Sequence, residues 1–487
     1  MTTQIIPERS GGLWGAALIV LVMAGGLTKP ALSQNNPRAG RRSLPNIILI
    51  LTDDLGYNDL GCYWTPSDEP GYERIKTPNI DRLAEQGIRF TDFSVAASVC
   101  TPSRAAFMTG CYPMRVGLAS DENGEDVLTP YSQRGLHPDE ITIAEILKSK
   151  GYATACIGKW HLGHRPEFLP TRQGFDEYYG VMYRARPNLM MRGEEVVEEA
   201  PHHQLTSLYT KEATAFIRRN QKEPFFLYLA HHMPHVPVAT TGRFEGTSAR
   251  GRYGDVVREL DWSTGEIMRL LQQLRIDGNT LLVFTSDNGP LLTRFGGKAN
   301  PLRGGKASVA EGGFRVPFIA CWPGRIKPNT VCSEMITAMD MLPTFAGIAG
   351  AGPPQDRIID GKDILPLLTG EPGSTSPHAA FFYYSGKSLR AVRRGDWKLF
   401  FREYNFPPTS QALGVARTLY DLSADIAEEY DVLDDNPDIV LELTVIADRI
   451  RAELGDANTC RVGANVRPAA LSNDDSALDY VPQLATD

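Results

Sequence analysis

The chain has 487 residues, 42% of them hydrophobic and 22% charged, enough to bury one large core and a second, smaller one. That composition excludes a disordered protein, a collagen-like repeat and a disulfide-stapled miniprotein. Lys and Arg number 50 against 58 Asp and Glu, a net charge of −8. This argues against a broad nucleic-acid-binding face and requires any anion site to be built locally.

Residues 1–33 read as a secretory signal: Arg9 supplies the positive start, Leu13 to Leu27 holds only apolar residues and Gly, and Ala31-Leu32-Ser33 offers a cleavage site. An uncleaved anchor would need roughly 20 apolar residues to span a bilayer, which this run does not reach. Cleavage near Ser33 is therefore expected, giving a secreted or periplasmic protein with no stable membrane anchor.

From there the chain alternates. Ile47 to Leu51, Ala153 to Ile157, Phe225 to Ala230 and Leu281 to Thr285 are near-continuous apolar runs, as strands covered on both faces require. Between them stand helix candidates at Ile141 to Lys150, Leu208 to Arg219 and Val256 to Leu274. Strand and helix in alternation predict an α/β fold whose open sheet carries helices on both faces. A catalytic domain is expected over 45–376, ending in a Pro/Gly-rich connector from Ala349 to Thr375. In 377–455 the pattern changes to close-set strands at Ala379 to Tyr384, Leu389 to Arg393 and Trp397 to Phe401, then an amphipathic run from Ile439 to Leu454. That predicts a small antiparallel sheet with one packed helix. The remaining tail, 456–487, is polar and weakly periodic, and is expected to be partly disordered.

Each of the four apolar runs ends in a polar cluster: Asp53-Asp54, Gly158-Lys159-Trp160-His161, His231-His232-Met233-Pro234-His235 and Asp287-Asn288-Gly289. Ligands in open α/β sheets bind outside the carboxyl ends of the strands, so the four clusters should converge. Asp53, Asp54, Asp287 and Asn288 are oxygen ligands suited to Ca²⁺ or Mg²⁺ rather than zinc, although each pair alone is common turn chemistry. The three histidines lack zinc spacing, so His231 and His232 are expected as packed or solvated side chains. Seven cysteines, at 62, 100, 111, 156, 321, 332 and 460, follow no metal-ligand spacing. The odd count leaves at least one with another use. Cys156 is expected as an inert core residue, and Cys321 with Cys332 is a possible pair whose geometry the spacing does not fix.

The segment Cys100-Thr101-Pro102-Ser103-Arg104 runs on to Thr109-Gly110. Its Pro marks a helix start, placing Cys100 where free N–H groups favour an anion and would lower a thiol pKa. A cysteine nucleophile is one reading; a buried structural cysteine is the other.

This segment resembles the CxPxR signature of the type I sulfatases, in the arylsulfatase A and N-acetylgalactosamine-6-sulfatase group of the alkaline phosphatase superfamily. The resemblance runs from Asn46 to about Asp431 through Asp53-Asp54-Leu55-Gly56-Tyr57, Thr77-Pro78-Asn79-Ile80-Asp81, Gly158-Lys159-Trp160-His161-Leu162-Gly163, Thr285-Ser286-Asp287-Asn288-Gly289, Glu311-Gly312-Gly313-Phe314-Arg315-Val316-Pro317 and Leu419-Tyr420-Asp421-Leu422. It implies a large mixed, mostly parallel sheet of the alkaline-phosphatase kind and hydrolysis of a sulfate monoester of a carbohydrate or aryl alcohol. It implies that a maturation enzyme oxidises Cys100 to formylglycine, whose hydrate attacks sulfur and then collapses to release sulfate. Asp53, Asp54, Asp287 and Asn288 would hold one Ca²⁺ that also touches the residue at 100. Arg104 and Lys159 would neutralise nucleophile and sulfate, His161 would take a proton in the collapse, and His235 and Lys306 would bind sulfate and protonate the departing alcohol. Two readings compete with a sulfatase: a phosphonate or phosphate monoester hydrolase of the same superfamily, and an inactive sulfatase-like binding protein.

Two departures stand out. Cys111 follows the Thr-Gly pair where relatives carry Arg or Lys, and Met182-Tyr183-Arg184-Ala185-Arg186 replaces a Ser-Asn-Asp-like stretch. Arg184 and Arg186 could grip a second anion on the substrate. They could equally pair with the acidic run Glu194, Glu195, Glu198 and Glu199.

Overall fold

A computed structural model describes residues 44–67, 73–183, 188–292, 296–401 and 417–472. The expected signal segment, Arg184 and Arg186, and the tail beyond Ser472 lie outside the described residues. Among those described, no helix is long and apolar enough to cross a membrane.

The main sheet has ten strands: β1 (Asn46–Thr52), β2 (Ile88–Phe90), β3 (Ala153–Gly158), β4 (Glu177–Gly180), β5 (Asn188–Arg192), β6 (Glu195–Ala200), β7 (Phe225–Ala230), β8 (Thr280–Ser286), β9 (Phe318–Cys321) and β10 (Thr330–Cys332). Their spatial order is β10-β2-β9-β8-β1-β7-β3-β4-β5-β6. Pairing is antiparallel only where β9 and β5 meet their neighbours. Every other pair is parallel. The four strands legible as apolar runs are thus the adjacent central ones, β8-β1-β7-β3.

The apolar runs exist because both faces are covered. On β1, Ile47, Leu49 and Leu51 join one core and Ile48 and Ile50 the other, all at 0% exposure. The first core is covered by α2 (Cys100–Thr109), α3 (Ile143–Ser149) and α7 (Met341–Ile348); the second by α1 (Pro78–Glu85), α4 (Leu205–Asn220) and α5 (Gly251–Leu274). A short α6 (Glu311–Phe314) puts Phe314 into a third core with the C-terminal sheet. Each fully buried aliphatic side chain contributes about 1.5–3 kcal/mol, so these five side chains of one strand are together worth on the order of 10 kcal/mol to the sheet.

The C-terminal sheet orders β11 (Phe381–Ser385), β12 (Ser388–Arg394), β13 (Trp397–Phe400) and β14 (Thr418–Asp421) as one antiparallel meander, packed by α8 (Pro437–Leu454). Part of the expected disordered tail is ordered. Gly455-Asp456 pairs with Arg461-Val462, and Ala470-Leu471 pairs with Arg134-Gly135 across the catalytic part. The tail's weak periodicity concealed an anchor that is electrostatic: Arg467 meets both carboxylate oxygens of Glu140 at 2.6 and 2.9 Å. Cys321 and Cys332 are both free thiols, and β2 lies between their strands.

Candidate active site

The register brings the four polar clusters to one level. Thr52 stands opposite Ser286, Leu51 opposite Ala230, and Gly158 opposite Ala230. Backbone hydrogen bonds carry the ladder past the strand ends: Asp287 N–H donates to Thr52 O (3.0 Å), His231 N–H to Leu51 O (2.8 Å) and Lys159 N–H to Ala230 O (2.8 Å). Side chains from four distant parts of the sequence are therefore fixed relative to one another by the sheet itself. Gly158, at φ +117°, lies so close to β7 that an added Cβ would sit 1.8 Å from Ala230 O, so only glycine fits before Lys159.

Cys100 opens α2, with Val99 as its extended cap and left-handed Gly110 closing the helix. The Cys100 thiol is 2% exposed and donates to Asp53 Oδ1 at 3.3 Å; Lys306 Nζ stands 3.4 Å from its sulfur. One helical turn on, Arg104 is fully buried. Its Nε and Nη2 reach Asp287 Oδ2 at 2.9 and 2.7 Å, and its Nη1 donates to Lys159 O at 2.9 Å. Lys159 Nζ meets Asp53 Oδ2 at 2.6 Å, and Lys306 Nζ meets both Asp54 oxygens at 2.7 and 2.9 Å. Ligand atoms of Asp53, Asp54, Cys100 and His235 all lie within 4.8 Å of one another. Asp287 accepts from Asp54 N–H at 3.3 Å, and Asn288 Nδ2 donates to Asp54 Oδ1 at 2.7 Å. The structure thus brings together every site residue expected from sequence except Arg184 and Arg186, which fall outside the described residues.

The electrostatics of the cluster are uneven. Burial pushes Asp53 up, but Lys159, His235, Arg104 and Lys306 outweigh it and hold the carboxyl well below its usual range. Asp54 and Asp287 go the other way: burial and the neighbouring Asp53 charge raise both, Asp287 to about 6. Cys100 is pushed up to about 12 by burial and by Asp53. The facing carboxylate and the loss of water thus act against the lowered thiol pKa that a helix N-terminus alone would give.

The donor set fits a hard divalent cation. Three carboxylates crowd one buried space, and Asn288 Oδ1 is buried with no hydrogen-bond partner, as an oxygen reserved for a metal would be. His231 is packed, its Nε2 3.1 Å from Ser263 Oγ, and burial lowers its pKa to about 3; it takes no part in the cluster.

Sequence reasoning missed the groups that orient the site. His161 Nε2 stands 2.9 Å from Leu128 O, which leaves buried Nδ1 without a hydrogen-bond partner and able to accept a proton. Burial, Lys159 and Arg104 keep this ring neutral. His161 and Asp54 both sit at positive φ, 61° and 68°, a strained backbone where function demands it. The Tyr183 ring meets His161 edge-on at 5.5 Å, and its hydroxyl pairs with His164 Nδ1. His232, beside His235, is 1% exposed and lacks a hydrogen-bond partner on either ring nitrogen. Nothing local in the sequence marks Leu128, whose contact to His161 crosses 33 positions. The acidic run has other partners among the described residues: Glu194 binds Arg172 and Thr171, and Glu198 binds Tyr179.

Comparison with known proteins agrees with this geometry. The Sulfatase family model matches residues 45–351, and a second, N-sulphoglucosamine sulphohydrolase, C-terminal, matches residues 305–453. N-acetylgalactosamine-6-sulfatase of Canis lupus familiaris is 44% identical over 389 residues, covering 74% of this chain and 73% of that protein. Human steryl-sulfatase is 37% identical over 459 residues, covering 75% and 77%. Among solved structures, Ps i-CgsB in complex with k-i-k-neocarrahexaose superimposes with a TM-score of 0.73 at 31% identity, covering 84% of this chain and 93% of that one. The chain belongs to the sulfatase family and is an enzyme that hydrolyses sulfate esters.

Proposed function

We propose that this sulfatase acts on sulfated carbohydrates through formylglycine made from Cys100, with one Ca²⁺ held by Asp53, Asp54, Asp287 and Asn288. The observation that carries the proposal is the orphaned Asn288 Oδ1 among three buried carboxylates, facing a cysteine whose thiol is pushed up to about 12. Such a thiol is a poor nucleophile, whereas its oxidised and hydrated aldehyde offers two hydroxyls at the same place. Bound there, Ca²⁺ would supply positive charge to the nucleophile and to a sulfate oxygen.

The chain's own residues do the rest. Arg104 and Lys159 are locked by Asp287 and Asp53, so their charge is in place before substrate arrives. Lys306 keeps its proton, because Asp54, Cys100 and Asp53 outweigh burial and raise its pKa. It stands nearest the solvent side of the cluster, with 15% of its side chain exposed, and is the proton donor to the departing alcohol. Burial and Lys306 lower the pKa of His235, whose Nδ1 donates to Val236 O at 2.6 Å and whose Nε2 is turned toward Asp54; the negative charge of an incoming sulfate favours the protonated ring, whose Nε2–H then donates to a sulfate oxygen. His161 Nδ1 accepts the proton of the second hydroxyl as the aldehyde re-forms and sulfate leaves.

The carbohydrate assignment is supported by the relative that acts on N-acetylgalactosamine 6-sulfate and by the neighbour bound to a neocarrahexaose. Export and modification of Cys100 by a maturation enzyme belong to the same proposal. The test is a panel of sulfated mono- and oligosaccharides beside p-nitrophenyl sulfate, p-nitrophenyl phosphate and a phenyl phosphonate ester. Release of sulfate from sugars well above release of phosphate or phosphonate supports the reading. Preference for phosphorus esters replaces it with the phosphonate hydrolase, and no turnover of any ester by Ca²⁺-loaded, matured protein replaces it with a binding protein.

A further inference from the structure

The chain that leaves α2 returns to the catalytic site at a single residue. Leu128 N–H donates to Thr101 Oγ1 at 3.1 Å, next to Cys100, and Leu128 O stands 2.9 Å from His161 Nε2. Leu128 therefore joins the start of α2 to the ring of His161. The atom that holds the ring is a backbone carbonyl, so its position is set by the course of the whole loop. Residues 111–133 contain no helix or strand. Their interior is a set of polar turns, such as Asp121 Oδ1 accepting from Asn123 N–H and Glu125 N–H, both at 2.8 Å. An irregular loop of this length keeps one shape only where its ends are fixed, because conformational entropy favours many.

Both ends are fixed by one segment from far along the chain, residues 467–472. At the first end Arg467 N–H donates to Arg115 O at 2.6 Å. Ala469 lies against Gly117, at φ +71°, so closely that an added Cβ would sit 2.2 Å from the Ala469 nitrogen. At the second end Ala470-Leu471 pairs with Arg134-Gly135, and Ser472 N–H donates to Gln133 O at 2.9 Å. Leu136 N–H then donates to Leu162 O at 2.8 Å, beside His161. The Arg467 side chain anchors the segment on buried Glu140, and Arg134 Nη1 ties the two ends of the loop to each other by donating to Gly117 O and Ser120 O at 3.3 and 3.0 Å.

We propose that residues 467–472 are a positioning strap for His161: by pinning both ends of the 117–136 loop they fix Leu128 O, and through it the ring whose Nδ1 takes a proton when sulfate leaves residue 100. The proposal rests on the role given to His161 above and adds the C-terminal segment to what that role needs. In that half of the reaction the bond from the residue-100 carbon to the sulfate oxygen breaks, the remaining hydroxyl becomes the carbonyl, and its proton passes to Nδ1. The other half, departure of the alcohol, uses Lys306 and makes no demand on Leu128. Loss of the strap should therefore slow one half and spare the other.

Two shortened chains and one substitution test this. A chain ending at Val466 lacks the strap, a chain ending at Ser472 keeps it, and Gly117→Ala pushes it off the loop without removing a residue. With p-nitrophenyl sulfate, the chain ending at Val466 and Gly117→Ala should each lose at least tenfold in kcat while kcat/KM stays within twofold of the parent, because slowing only the sulfate-releasing half lowers kcat and KM together. The chain ending at Ser472 should stay within twofold in both. A merely structural role gives a different result, since fewer folded or fewer matured molecules lower kcat and kcat/KM equally. Hydrogen exchange reads the positioning without turnover. In Cys100→Ala protein, peptides across 120–132 should exchange at least tenfold faster in the chain ending at Val466 than in the chain ending at Ser472, with peptides of β1 and β7 unchanged. The proposal is overturned if kcat and kcat/KM fall in parallel, if the chain without the strap matches the parent in both, or if exchange across 120–132 is the same in the two shortened chains. Should the chain ending at Val466 not fold, Gly117→Ala decides by the same kinetic split and the same exchange comparison with the parent. A parent enzyme that hydrolyses no sulfate ester refutes the proposed function instead, and the exchange comparison still shows whether the strap holds the loop.

Discussion

Two buried charge networks lie in this protein, and they are organised in opposite ways. At the catalytic centre Asp53, Asp54 and Asp287 converge on one space, with Arg104, Lys159 and Lys306 on its outside. At the junction with the C-terminal sheet the order is reversed, and a cation is at the centre. Lys398 Nζ, at 0% exposure, stands between Glu311 at 2.9 Å and Glu428 at 2.8 Å and also donates to Val309 O at 3.0 Å. Arg393 grips Asp92 through two bonds beside it, at 3.0 and 2.6 Å. Alternating charges satisfy one another and make a joint; like charges driven together mark a place where something else must bind. Each network holds one carboxylate low and raises its neighbours: Lys398, Arg393 and Arg315 outweigh burial at Glu311 while burial and Glu311 raise Glu428, and the cations hold Asp53 low while burial and Asp53 raise Asp54 and Asp287.

The largest expected effect breaks the converging side. Asp53→Ala or Asp287→Ala should lose bound Ca²⁺ and roughly 10³-fold or more of kcat together, measured by metal analysis and sulfate release on the same preparation. Metal retained at full stoichiometry while activity is lost would separate the carboxylates from the cation. Lys398→Met attacks the alternating side: it strands two buried carboxylates and should cost about 3–5 kcal/mol of stability, while kcat per folded molecule stays near the parent value. Thermal melts and active-site titration check this.

A gentler probe uses pH. Because Glu311 is ionised far below its unfolded range, its contribution is present above about pH 4.5 and is lost as pH falls through and below that range. Glu311→Gln should therefore flatten the acid side of the stability curve relative to the parent, read from denaturant midpoints between neutral pH and about pH 3. Unchanged acid slopes would remove Glu311 from the joint's energetics. The smallest effect is expected from Cys156→Ala. Its side chain is a packed thiol on β3 at 0% exposure, and its loss should cost about 1 kcal/mol with no change in turnover.

Much of the catalytic side was readable from the chain because Asp53, Asp54, Lys159, His161, His235, Asp287 and Asn288 follow strands that are apolar on both faces, which the parallel sheet assembles, and a Pro just inside the start of α2 marked Cys100 and Arg104. The outer strands were less readable. β2 and β10 are three residues long, and β4 to β6 form an antiparallel extension whose last strand, Glu195–Ala200, is largely exposed and acidic. They carry too little apolar periodicity to announce themselves. The alternating joint was invisible for another reason: Asp92, Glu311, Lys398 and Glu428 are ordinary charged residues until tertiary packing removes their water. The same holds for Leu128, whose contribution to His161 is a backbone carbonyl and leaves no trace in residue type.

The proposed chemistry requires that the buried thiol of Cys100 be a precursor. Peptide mass spectrometry of the segment containing Cys100-Thr101-Pro102-Ser103-Arg104, from protein purified in active form from its native host, tests it directly. An aldehyde at position 100, trapped by a hydrazide reagent, is expected in proportion to specific activity. Fully active protein carrying only unmodified cysteine at that position would contradict it.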